Sequence, residues 1–296
     1  MSIALALTAM LLLGSTHFIN GLLARFYPPL NIGFYTHLGG ALVSLAGALL
    51  FSTWEPAAWQ WGALAGLGSA LGALLLYKGL SQAPFALVVP VSAVSMVTIA
   101  LALSLVFLGE RPNAWVWLGV MIALPAIWLT AGGNRINNKQ MNSMTQTGLL
   151  FGLGAGLGFA LQLHFLGQVP NHAALYGIAL CMLSGAVCLL PFYQRAKPAQ
   201  KRFPLFATVA GGISALGLTL YTLSRQGQLA IISIVIVSMY PLTPVVFGSL
   251  VRRERISGTS AVGIALSLLA TVLVVAGSGQ SVYNKLTNST AYYFKI

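Results

Sequence analysis

Three histidines, His17, His37 and His164, fall inside long apolar stretches of a chain that holds only three acidic residues in 296. Histidine titrates near neutrality and can relay a proton. Inside an apolar stretch it can equally be a hydrogen-bonded packing residue, and both roles stay open for each of the three. Other polar side chains share the same depth. Asn20, Thr36, Gln162, Ser92, Tyr77, Tyr221 and Tyr240 could offer hydrogen bonds to a small ligand. Lys78 and Arg225 each close an apolar stretch. Such cations snorkel to lipid headgroups or attract a carboxylate or phosphate at the mouth of a cavity. Pro241 and Pro244 lie within an apolar stretch, and each removes a backbone donor. They mark either a packing kink or a broken helix whose freed backbone helps to form a site. Pro90 and Pro125 raise the same question more weakly.

The elements that carry these residues must be membrane spans. The chain is 57% hydrophobic and 6% charged, with a mean hydropathy of +0.86. A soluble domain carries about 25% charged residues. A bilayer needs about 20 apolar residues per helix, which leaves room for ten spans and no sizeable soluble domain. The spans read as 2–24, 31–51, 62–81, 84–108, 113–131, 147–169, 172–193, 205–225, 228–251 and 258–277. Trp54, Trp59 and Trp61 suit an interfacial belt. The formal charge of +12 is spread thinly over the loops, in the manner of topology signals, and forms no nucleic-acid-binding stripe.

The chain also repeats itself. At a constant offset of 144, Tyr77 falls on Tyr221, Gln82 on Gln226, Glu110-Arg111 on Glu254-Arg255, Gly119 on Gly263 and Gly133 on Gly277. Each half holds five spans, and a repeat with an odd number of spans must sit inverted relative to its partner. Inverted repeats place a substrate site between the halves of alternating-access transporters. The expected fold is all-α and integral to the membrane, with ten transmembrane helices as two inverted five-helix repeats. Residues 1–133 form the first half, 134–146 a polar linker, 147–277 the second half and 278–296 a polar tail without periodicity. Glycines crowd several spans (Gly62, Gly66, Gly68 and Gly72 in one; Gly152, Gly154, Gly156 and Gly158 in another), where they let helices approach closely.

Several chemistries find no support. No P-loop, HExxH, CxxC or nucleophile elbow occurs, so no catalytic residue, metal or cofactor is assigned. Cys181 and Cys188 share a helix face and read as reduced packing residues. Glu110 and Glu254 sit at span ends, where each acts as a helix-turn element favouring a macrodipole. Without a deep carboxylate, a lipophilic cation would find no counter-charge.

The segments Met239-Tyr240-Pro241-Leu242-Thr243-Pro244-Val245-Val246-Phe247, then Arg253-Glu254-Arg255-Ile256, and Val106-Phe107-Leu108-Gly109-Glu110-Arg111-Pro112 in the first half carry a resemblance. With the repeat and the span count, the chain resembles the EamA-type proteins of the drug/metabolite transporter superfamily. The resemblance implies a ten-helix basket with a central cavity. It also implies movement of amino acids, related metabolites or drugs, commonly as export. Two departures stand out: Val97 and Ala100 occupy the positions of Pro241 and Pro244, and Arg252-Arg253 replaces a Leu-Gly-like pair.

The expected function is therefore a secondary transporter working by alternating access, a permease that exports small metabolites, with amino acids or related zwitterionic or anionic compounds favoured. The alternative is a non-transporting membrane assembly or lipid-binding component. Expected partners are a small-molecule substrate and the lipid bilayer, not nucleic acid, and the fused halves allow a monomer. The expected location is a bacterial inner membrane. Of the 15 Lys and Arg residues, only Arg111, Arg225, Lys285 and Lys295 fall on the side of the termini. The positive-inside rule then puts both termini outside the cytoplasm, whereas the resemblance puts them inside.

Overall fold

The computed structural model describes residues 1–24, 26–83, 85–130, 142–194, 202–225, 229–252 and 257–293. Among these residues there is no strand. The helices are α1 (Ser2–Leu23), α2 (Pro29–Phe51), α3 (Pro56–Gln82), α4 (Phe85–Phe107), α5 (Ala114–Thr130), α6 (Asn142–Leu166), α7 (Ala174–Leu189), α8 (Phe203–Ser224), α9 (Ala230–Ser238), α10 (Leu242–Arg252) and α11 (Gly258–Tyr293). Two short 3-10 turns, Asn171–Ala173 and Leu190–Phe192, flank α7.

Local chemistry explains the boundaries. Pro29 and Pro56 open α2 and α3, where the missing N–H would have lacked an intrahelical partner anyway. This starts α3 earlier than the expected 62, because the interfacial Trp59 and Trp61 join the helix. After α4 the chain turns at Gly109, whose φ of 62° suits glycine. Two expectations change. The span expected at 228–251 is two helices, with α9 ending at Ser238 and α10 starting at Leu242. The expected tail after 277 continues α11 to Tyr293, and no proline interrupts its hydrogen-bond ladder there.

The break between α9 and α10 follows from Pro241 and Pro244. The amide of Tyr240 bonds the Val237 carbonyl at 3.0 Å, and that of Thr243 bonds the Tyr240 carbonyl at 3.1 Å. These tight i→i−3 bonds satisfy carbonyls that the prolines cannot serve. The first half has Val97 and Ala100 in place of the prolines, and there α4 runs unbroken. Pro125 lies inside an unbroken α5.

Seven helices are long and apolar enough to cross a membrane. The shorter apolar stretches Val91–Phe107, Ala114–Leu129 and Ala230–Pro244 bring the set to ten among the described residues. The chain is a multi-pass integral membrane protein. Its outer surface fits this: Leu42, Leu49, Leu50, Phe51, Leu205 and Phe206 are all exposed, as lipid-facing residues should be. Trp54 and Trp59 are exposed near a helix end, and Trp61 stacks inward on Phe165.

Most packing joins helices of different halves. The principal pairs are α3 with α6 and α7, α2 with α7 and α8, α1 with α8, α4 with α6, and α5 with α11. Helices α3 and α6 cross at glycine. A Cβ on Gly158 would lie 2.7 Å from the Gly68 carbonyl oxygen, and one on Gly68 would lie 2.8 Å from the Gly158 oxygen. Small residues let the backbones meet there.

Candidate functional site: a central cavity between the halves

The inner turns of α1, α2, α3, α6 and α8 leave a cavity of about 90 Å³ where the halves meet. Leu13, Thr16, His17 and Asn20 face it from α1. From α2 come Gly33, Thr36 and His37; from α3 come Ser69, Ala73, Leu76 and Tyr77. The second half contributes Phe159, Gln162 and Leu163 of α6, Met182 of α7, Ser214 and Leu218 of α8, Val237 of α9, and Tyr240 at the helix break.

The polar groups are tied to one another. Asn20 Nδ2 donates to Thr36 Oγ1 at 3.1 Å, which binds α1 to α2. His37 Nδ1 lies 2.8 Å from the Gly33 carbonyl and Nε2 lies 2.9 Å from Ser69 Oγ. A carbonyl can only accept, so Nδ1 carries a hydrogen. In the neutral ring Nε2 then accepts the Ser69 hydroxyl proton. Gln162 Nε2 donates to Cys181 Sγ at 3.6 Å, and Thr16 Oγ1 reaches the Ala210 carbonyl at 3.1 Å. The His17 ring packs against Tyr240, with centroids 4.6 Å apart. Cys181 is buried and both cysteines are free thiols.

The sequence candidates thus divide. His17, His37, Asn20, Thr36, Tyr77, Gln162 and Tyr240 meet around the cavity. The others lie elsewhere. Tyr221 is fully buried beside α6 and donates to the Leu163 carbonyl at 3.4 Å. Arg225 Nη1 donates to the same carbonyl at 3.5 Å and lines a second cavity at the end of the bundle where α1 begins. Lys78 sits toward the opposite end, its ammonium 5.2 Å from the Phe192 ring centroid. His164 packs on Phe107 and Phe165 away from the cavity. Ser92 is buried off the cavity wall. Pro241 and Pro244 shape the break that presents Tyr240 and do not line the cavity.

Ser69 and Ser214 escaped the sequence reading although a signal existed. Ser69-Ala70-Leu71-Gly72 recurs as Ser214-Ala215-Leu216-Gly217, one residue out of step with the offset of 144. An ungapped alignment hides it. Both serines face the cavity, from α3 and α8.

Contacts join the halves at both ends. At the end where α1 begins, the Glu110 carboxylate accepts the Ala230 and Ile231 amides. The His172 carbonyl there accepts the Ser52 hydroxyl at 2.6 Å, and His172 Nε2 lies 2.6 Å from Glu55 Oε2. At the other end Asn31 Nδ2 donates to the Gln194 carbonyl at 2.7 Å, and the Gln194 amide donates back to Asn31 Oδ1 at 2.9 Å. The Tyr35 and Tyr193 hydroxyls meet there at 3.0 Å.

Residues 1–132, which include α1 to α5, match the model of the EamA-like transporter family. They form an EamA-like transporter domain. The domain belongs to the drug/metabolite transporter superfamily, so the expected resemblance holds where the match runs. No curated protein matches the chain. A solved structure described only as "Crystal structure of protein" is 19% identical, with a TM-score of 0.71 over 93% of this chain and 98% of its own. At that identity the likeness shows a shared fold across both the EamA-like domain and the remainder.

Proposed function

We propose that the protein is a secondary transporter that moves small metabolites by alternating access, rocking two inverted five-helix halves about the central cavity. One observation carries this reading: hydrogen-bonding side chains from both halves converge on a central cavity, with contacts joining the same halves at either end. The helix pairing supports the repeat. Exchanging the halves turns the α1–α8 pair into α6–α3 and the α2–α8 pair into α7–α3, and it leaves α2–α7 and α5–α11 in place. That is the pattern of a two-fold relationship.

The cavity wall favours amino acids or related zwitterionic or anionic compounds. Asn20, Gln162, Tyr77 and His17 can offer hydrogen bonds to a carboxylate, while among the described residues no Asp or Glu lines the cavity to receive a lipophilic cation. Ligand pockets usually measure roughly 300 Å³ or more. A cavity of about 90 Å³ must therefore widen to load such a ligand. Export across a bacterial inner membrane, by a monomer, is the working arrangement.

The test is thermal stability of the purified protein against amino acids, organic anions, phosphorylated metabolites and lipophilic cations. Binding stabilises by mass action. A saturable shift with amino acids or anions supports the reading, and a shift with cations alone overturns its charge argument. Counterflow of the stabilising solute in proteoliposomes then separates transport from binding.

A further inference from the structure

The chain has three acidic residues in all: Glu55, Glu110 and Glu254. Glu55 lies in a surface loop beside His172, and Glu254 lies outside the described residues. Glu110 is placed differently. It sits in the turn between α4 and α5 of the first half, and its carboxylate caps the start of α9 in the second half. Oε1 accepts the Ala230 amide, and Oε2 accepts the Ile231 amide at 3.0 Å and the Ser104 hydroxyl at 2.6 Å. The same carboxylate lines a cavity of about 290 Å³ with Thr222, Arg225 and Asn171. A half-buried acid in that position is open to protons from one side of the membrane and joins the two halves.

We propose that Glu110 is the proton-binding group of this protein and that its protonation unlatches the mouth at this end. The inference rests on the transporter reading above. As a carboxylate, Glu110 offers two strong acceptors to amides that have no intrahelical partner. Addition of one proton converts an acceptor oxygen into an O–H donor, removes the charge that complements the α9 N-terminus and repels the amide facing it. The first turn of α9 then loses its hold on the first half. The other charged or titratable groups around Glu110 are Arg225 and Tyr221 from α8 and Arg111 in its own turn. His164 on α6 lies within electrostatic reach of Arg225, and His172 pairs with Glu55 at the same end.

The test is amide hydrogen exchange on the full-length protein in nanodiscs, at neutral pH and at a pH low enough to protonate carboxylates, corrected for intrinsic rates. In the wild type, the Ala230 and Ile231 amides should lose about tenfold or more in protection on acidification, since bonds to a charged acceptor are the stronger ones. Amides of α7 should not change. Glu110→Gln should show the low protection at both pH values. Ser104→Ala, which keeps the carboxylate but removes one donor to it, should move the transition to higher pH. Wild-type protection that is equal at the two pH values overturns the proposal. So does a Glu110→Gln protein that still switches, which would assign the proton to a histidine. If Glu110→Gln does not fold, an unshifted Ser104→Ala transition overturns it alone. No substrate enters this measurement, so a failure to transport any solute would remove the transporter reading without altering the exchange result.

Discussion

The imidazole of His37 ties α2 to α3 through Ser69, with Nε2 2.9 Å from the serine hydroxyl and Nδ1 held by the Gly33 carbonyl. Both ring nitrogens are thus engaged at the cavity wall, and the histidine is structural and cavity-lining at once. His37→Ala should cost about 1 kcal/mol, as polar contacts between membrane helices do, and Ser69→Ala should cost less. Thermal midpoints in detergent check this. A His37→Ala protein as stable as the wild type would mean that the pair carries no packing role.

Tyr77 and Asn20 line the cavity from α3 and α1. Tyr77→Phe and Asn20→Ala should each weaken binding of the solute that stabilises the wild type by about tenfold, the worth of one good hydrogen bond. Tyr77→Ala should abolish flux while the protein stays folded. Titration of the thermal shift gives the first number and proteoliposome flux the second. Unaltered binding in all three would move the site away from this cavity.

Gly158 tests the helix crossing. Gly158→Val must push α3 and α6 apart, because even its Cβ would lie 2.7 Å from the Gly68 oxygen. The expected cost is about 1–3 kcal/mol. Gly21→Ala is the control, since nothing lies within 4 Å of its added Cβ and the change should stay within about 0.5 kcal/mol.

Pro241 tests the helix break. Pro241→Ala restores a backbone donor and lets α9 continue toward α10, as α4 does in the first half. Stability should hold or rise while flux falls, because Tyr240 would leave its place beside His17. A fall in stability with unchanged flux would make the break a packing feature alone.

Sequence by itself determined the all-helical, multi-pass membrane class and the helix-breaking character of Pro241 and Pro244. These follow from local composition: an apolar run long enough for a bilayer must be helical, and a proline removes its donor wherever it sits. Sequence also ranked polar residues by depth, and that ranking found His17, His37, Asn20, Tyr77, Gln162 and Tyr240. Depth alone could not separate them from Tyr221, His164 or Ser92, which lie just as deep in the apolar spans but face helix neighbours instead of the cavity. Which way a side chain points depends on how its helix is rotated against helices far away in the chain. Only tertiary packing sets that rotation. The same packing turned Glu110 from a turn residue into a cap on a helix of the other half, 120 residues away. Nothing local to Gly109-Glu110-Arg111 encodes that partner, because the bond exists only once the two halves have met.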